Sequence, residues 1–213
     1  MRKELVFVCI FFVFVLCVSF LFIPHIENDE AVYRTLAKRI TCNDPKCFIF
    51  DFKKYNLLES DVLKILVEKA YHQKAFFHPP AFIMTLSLSN RLFHEIGLRL
   101  VPVVSFFLII FIMYHSLLLL QIKKQQIINT LFITATSSLL LFNASKLWMD
   151  LFLGTLLFTS FYFILLFWKR GLLRYSFFAG VFLFLATFTK YWALASYIPF
   201  IYFLFVISPN KQR

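Results

Sequence analysis

From residue 96 to its end the chain is nearly half Phe, Leu and Ile and carries one acidic side chain, Asp150. An ionisable group at bilayer depth costs about 3 kcal/mol or more unless it faces a cavity or a partner, so a solitary carboxylate in such a stretch is a candidate for function. A second acidic feature is the adjacent pair Asp29-Glu30. Carboxylates of this kind can take a proton from a hydroxyl, provided one of them comes within hydrogen-bond reach of it, or can orient the group that reacts. A complementary cation is Lys190, which near a lipid phosphate could stabilise a leaving group, and Arg99 is a second cation facing the carboxylate-bearing side. His78, in His78-Pro79-Pro80, completes the candidate set. No His or Cys cluster has the spacing of metal ligands, so neither a metal nor a cofactor is expected.

Each of these residues also has a plainer reading. Asp29 and Glu30 would be stabilised by the free N–H groups and dipole of a helix start. Asp150 would cap a helix over residues 151–168, with Lys146 four residues earlier as its partner. Lys190, beside Tyr191 and Trp192, reads as a lysine reaching out through an aromatic belt. His78-Pro79-Pro80 and Arg99-Leu100-Val101-Pro102 read as chain geometry, a stop before one helix and a proline in the first turn of another. The choice depends on which elements position these side chains, and on which side of a membrane.

With 61% hydrophobic residues, 31 Phe and only 4 Gly among 213 residues, the composition is that of an all-α, polytopic membrane protein. The formal net charge of +11 would suggest nucleic acid in a soluble chain. Here the basic residues punctuate apolar runs, and no nucleic-acid partner is expected. Residues 5–23, behind Arg2 and Lys3 and without a small-residue cleavage site, read as a signal anchor. Further runs at 98–120, 127–143, 151–168, 175–189 and 192–207 bring the expected crossings to six. Residues 80–93 are short for a crossing and are expected to be re-entrant or interfacial.

If residues 80–93 do not cross, the inner side holds Arg2, Lys3, Lys123, Lys124, Lys169, Arg170, Arg174, Lys211 and Arg213, against Lys146 and Lys190 in the short outer loops, a bias of nine to two in the expected sense. Asp29, Glu30, Asp150 and Lys190 then share the outer face. The first outer segment, residues 24–97, has helical patterns of its own. Val32, Leu36 and Ile40 form one stripe with Arg34, Lys38 and Arg39 opposite, as in an amphipathic helix at headgroup level. A second such helix is expected from Ser60 to His72. Between them Cys42 and Cys47 flank a turn-forming Asn43-Asp44-Pro45, leaving open whether they form a disulfide. The chain is expected to be one transmembrane unit over residues 1–213.

In this order and sidedness the sequence resembles the GT-C superfamily of membrane glycosyltransferases, in the branch of protein O-mannosyltransferases and the lipid A aminoarabinose transferase. The resemblance is carried by Asp29-Glu30-Ala31-Val32-Tyr33 with Ala37-Lys38-Arg39, by His78-Pro79-Pro80-Ala81-Phe82, and by Gly97-Leu98-Arg99-Leu100 entering the next span. It continues in Ser145 to Asp150 and in Gly180 to Lys190. It implies transfer of a sugar, with inversion, from a polyprenyl or dolichyl phosphate donor to a protein, lipid or glycan acceptor on the extracytoplasmic side. By the same resemblance Asp29 is the general base, Glu30 and Asp150 orient donor or acceptor, and Lys190 with Arg99 binds the departing lipid phosphate. The resembled proteins carry more spans after the basic residue. This chain is therefore expected to be a fragment, a truncated product, or an N-terminal core working with a partner subunit or a C-terminal half. The expected location is a prokaryotic plasma membrane or the endoplasmic reticulum.

Two other readings compete. A transporter subunit would place charged or broken segments within the spans, and His115 is almost the only such residue. A non-catalytic membrane scaffold would keep the apolar spans without binding a lipid-linked donor.

Overall fold

The computed structural model describes residues 80–206, together with Phe14, Glu30, Tyr33, Arg34, Leu36, Ala37 and Lys38, with side chains described as far as residue 203. Asp29, His78, the expected helix from Ser60, and the Cys42–Cys47 loop lie outside the described residues, as does the run 5–23 apart from the helical Phe14. The described elements are helical throughout: α1 (Ala81–Leu119), α2 (Lys124–Ala135), α3 (Ser138–Ser145), α4 (Met149–Arg170), α5 (Leu173–Thr187), a short 3-10 helix (Tyr191–Ser196) and α6 (Tyr197–Val206).

Two of these, α1 and α4, are long and apolar enough to cross a membrane, and α2 with α3 makes a third candidate if the bent pair is one crossing. Large apolar side chains such as Phe132, Ile133, Leu139, Phe177 and Ile198 lie on the outside of the bundle, where a soluble protein would place charge. The chain is accordingly a membrane protein. Residues 127–143, expected as one run, are instead two helices bent by 51°. At the break both the backbone N–H and the hydroxyl of Thr136 bond the carbonyl of Phe132, and Ser137 leaves helical geometry. Residues 192–207, also expected as one run, divide into the 3-10 turn and the ten-residue α6. With 15 residues, α5 is short for a crossing.

Helix α1 consists of two arms. His94 breaks it with φ 54° and ψ −145°, and the first arm turns back so that the Ser89 hydroxyl donates to the Gly97 carbonyl over 2.7 Å. Along a continuous helix eight residues would separate those groups by about 12 Å. Close approach requires Gly97, because a Cβ there would lie 2.0 Å from the Ser89 carbonyl oxygen. Pro102, expected in a first helical turn, lies in the helix interior because the second arm begins at residue 95.

The second arm of α1 packs beside α4 in the same direction. Thr155 donates to the Ser105 carbonyl at 3.1 Å, and farther along both helices His115 lies near the Tyr162 ring. α5 returns antiparallel on α4: Asp150 meets Lys190, the buried Ser160 hydroxyl donates to the Ala179 carbonyl at 2.6 Å, and Phe163 stacks on Tyr175. Small residues at these contacts, Gly154, Ala179 and Ala186, let the backbones approach, the usual basis of helix association in lipid. Gly171, with φ 66°, closes the α4–α5 turn as a left-handed cap. These directions place Glu95, Arg99 and Asp150 at one end of the bundle, and Lys123, Lys124, Lys169, Arg170 and Arg174 at the other.

Candidate functional site

The early helical residues present two faces. Glu30, Tyr33 and Ala37 recur at i, i+3 and i+7 and are all buried, together with Leu36. Tyr33, Leu36 and Ala37 pack with Phe82, Ile83, Leu86, Leu98, Val101, Leu147 and Met149 in one core cluster, where the Tyr33 ring meets Phe82 edge-on at 5.3 Å. Leu36, the described member of the apolar stripe expected to lie on headgroups, is thus covered by protein. Arg34 and Lys38, one turn apart on the neighbouring face, both reach Glu95 just past the His94 break, Arg34 at 2.6 Å. Glu95 precedes the apolar run that begins at Leu98. Burial pushes its carboxyl up, but the hydrogen bonds and charges of Lys38 and Arg34 outweigh this and hold it below the ordinary carboxylate value.

Because Glu30 lies on the buried face, its carboxylate points into the protein, where Arg99 meets it at 2.6 Å. Glu30 is 3% exposed and Arg99 15%, so the pair is largely removed from water. A second nitrogen of Arg99 donates to the Ser145 carbonyl at 3.1 Å. Three separate segments are thereby tied together: the early helix, the second arm of α1, and the end of α3. Lys146 follows at once, buried, with its ammonium over the Phe142 ring. The Asn143-Ala144-Ser145 sequence, formally a glycosylation acceptor, has its Ser145 buried and bonded to Phe142.

Asp150 does not cap α4. The helix begins at Met149, its N-cap position is Trp148, and Asp150 lies in the first turn, where a negative charge suits the helix dipole. Its carboxylate takes a 2.7 Å bond from Lys190. Lys190 is held in place from its own side. The backbone N–H groups of Thr189 and Lys190 both reach the Ala186 carbonyl, and the fully buried Thr189 hydroxyl bonds Leu185. The start of α1 joins the same corner, since Ala81 N–H donates to the Phe188 carbonyl at 3.0 Å and Phe82 packs on Phe152. The Asp150–Lys190 pair remains open to the outside, at 53% and 29% side-chain exposure. An open pair of this kind contributes about 1 kcal/mol or less to stability.

Of the residues singled out in the sequence, four are therefore described at one end of the bundle, as two ion pairs: Glu30 with Arg99, buried, and Asp150 with Lys190, open. Sequence reasoning missed Glu95 as the anchor of the early helix. The signal was present in the one-turn spacing of Arg34 and Lys38, with Glu95 the last carboxylate before Asp150. Trp148 was missed too; its indole N–H is buried at this corner without a hydrogen-bond partner among the described residues. Compared with known proteins, the chain matches no family model, no curated protein and no solved structure.

Proposed function

We propose that the chain is a GT-C type membrane glycosyltransferase, or the N-terminal catalytic part of one, that moves a sugar from a polyprenyl or dolichyl phosphate carrier to an acceptor hydroxyl. The observation that carries this reading is the open Asp150–Lys190 pair standing at the same end of the bundle as the buried Glu30–Arg99 pair. In this mechanism Asp29 takes the proton of the acceptor hydroxyl as its oxygen attacks the anomeric carbon. The bond from that carbon to the phosphate oxygen breaks, inverting the centre, and the lipid phosphate departs with the bonding electrons. Lys190 meets the growing charge on the phosphate, exchanging part of its bond to Asp150 for one to the leaving group. Asp150 orients the lysine and a sugar hydroxyl. Glu30, the next residue in the chain after Asp29, is held by Arg99.

The membrane arrangement that goes with this function has six crossings, α2 with α3 forming one bent crossing, and the first arm of α1 re-entering at the outer boundary. Two features support it: the nine-to-two distribution of basic residues, and the placement of Lys123, Lys124, Lys169, Arg170 and Arg174 at the end opposite Asp150. The site then faces the periplasm, the cell exterior or the endoplasmic reticulum lumen.

One observation favours the non-catalytic scaffold as a second reading. Lys190 and Arg99 are each neutralised by a carboxylate, which is also what purely structural ion pairs would look like. Release of polyprenyl phosphate from polyprenyl-phosphate mannose by the full chain in proteoliposomes, with hydroxyl acceptors supplied, separates the two. The enzyme releases lipid phosphate, and Asp29→Asn abolishes release while the chain still inserts. Undiminished release by Asp29→Asn would rule out the base assignment. A wild type that neither releases lipid phosphate nor cross-links to a photoreactive polyprenyl phosphate would favour the scaffold.

A further inference from the structure

The opposite end of the bundle has a charge arrangement that glycosyl transfer does not use. Arg170 is the last residue of α4, Arg174 the second residue of α5, and the left-handed Gly171 lets the turn between them close tightly. Both guanidinium groups come to one oxygen, the Tyr175 hydroxyl, Arg170 at 2.9 Å and Arg174 at 3.4 Å. Both also flank the Tyr175 ring, their central carbons 5.8 and 5.2 Å from its centroid. The ring is itself buried against Phe163, which fixes the hydroxyl around which the arginines gather.

Two like charges are thus held together, and among the described residues no carboxylate pairs with either. The sequence offers little choice, since the one acidic residue after residue 96 is Asp150, at the far end. Arg174 stands in the first turn of α5, where the helix dipole repels a cation. A hydroxyl can accept two hydrogen bonds, whereas two guanidiniums offer ten N–H donors, so Tyr175 uses little of their donor capacity, and both arginines are exposed. A phosphate group answers all three features, being anionic, rich in acceptors, and favoured at a helix N-terminus. Leu172 and Leu173 are exposed beside the arginines at 43% and 77%, and Phe177 one turn on at 67%. Lys169 lies over the Trp168 ring at 4.6 Å. Exposed apolar side chains next to cations and an indole mark the boundary between hydrocarbon and headgroups, so the phosphate that fits is a lipid's.

We propose that Arg170, Arg174 and the Tyr175 hydroxyl bind the phosphate of an anionic phospholipid headgroup, at the end of the bundle opposite Asp150 and Lys190. This is the cytosolic leaflet in the arrangement described above. Bound there, the lipid neutralises the paired arginines and holds the α4–α5 turn at a fixed depth.

Native mass spectrometry of the full chain released from detergent, titrated with phosphatidylglycerol or phosphatidylcholine, tests the site. The wild type retains phosphatidylglycerol in preference to phosphatidylcholine. Arg170→Gln with Arg174→Gln weakens retention about 30-fold, the effect of two basic residues at an anionic surface. Tyr175→Phe keeps both charges and loses the hydroxyl that gathers them, so retention falls about fivefold, as for one hydrogen-bonded anchor. Lys123→Gln with Lys124→Gln removes the same formal charge from the same end and leaves retention unchanged. The proposal is overturned if the wild type shows no preference, or if the lysine pair costs as much as the arginine pair, which would mean diffuse surface charge. Displacement of the lipid by millimolar inorganic phosphate would also overturn it, since the site would then take free phosphate.

Discussion

Replacing Arg99 by methionine should destabilise the chain more than any other single charge removal at the candidate site. The substitution keeps the length and apolar bulk of the side chain but leaves the Glu30 carboxylate, 3% exposed, without its cation. Stranding one partner of a buried ion pair costs about 3–5 kcal/mol, because the remaining charge has neither water nor a counter-ion. The Ser145 carbonyl loses its donor at the same time. Glu30→Gln is milder, on the order of 1–2 kcal/mol, since the amide can still accept from Arg99 and the guanidinium keeps both the Ser145 carbonyl and some access to solvent. For a chain of this size the Arg99→Met loss corresponds to a fall in Tm of roughly 10 °C. Thermal unfolding in detergent, followed by far-ultraviolet circular dichroism, reads both variants and the double variant. Glu30→Gln/Arg99→Met should be less destabilised than the sum of the single changes, because no stranded charge remains. Equal single effects that add in the double variant would refute the buried pair.

Further outcomes follow from other parts of the structure. Gly97→Ala should prevent a monodisperse folded product on size-exclusion chromatography, because its Cβ falls 2.0 Å from the Ser89 backbone, whereas Gly180→Ala meets nothing within 4 Å and should be tolerated or slightly stabilising. Asp150→Asn should change Tm little, the Asp150–Lys190 pair being open, while sharply reducing lipid-phosphate release in the proteoliposome assay. Glu95, whose carboxyl is held below its ordinary value, contributes stability that is present above the unfolded-state value of 4.5 and lost as pH falls through the lower folded value. A melting series from neutral to acid pH should therefore show a decline that Glu95→Gln flattens.

The helical class and the chemistry-bearing ends were legible because the signals are compositional. Asp150 stands out against more than a hundred residues without another carboxylate, and the distribution of lysine and arginine divides one end of the bundle from the other. The pairing of Asp150 with Lys190 rather than with Lys146 was not legible. The shared outer face was expected, but the contact itself depends on how closely the end of α5 packs on the start of α4 and on the Thr189 anchor, neither of which leaves a local trace. The burial of Glu30 was hidden for a similar reason: as a carboxylate at a helix start it read as exposed to the N–H groups there, and what covers the Tyr33 face was not visible. Apolar runs overstate continuity as well. Residues 127–143 read as one helix because hydropathy is blind to the Thr136 hydroxyl competing for the Phe132 carbonyl. The turn at His94 was foreshadowed by the shortness of 80–93, yet its closure requires the Ser89–Gly97 contact between two arms.

Most directly at stake is whether the acidic and basic candidates meet on the side of the membrane away from the cytosol. In a chain with its native cysteines replaced, single cysteines at positions 150, 190, 170 and 174 can be labelled with a membrane-impermeant maleimide before and after permeabilisation of intact cells. Positions 150 and 190 should label in intact cells, and positions 170 and 174 only once the membrane is opened. Labelling of 150 and 190 from opposite sides, or of 170 and 174 without permeabilisation, would contradict the placement of the site and the function drawn from it.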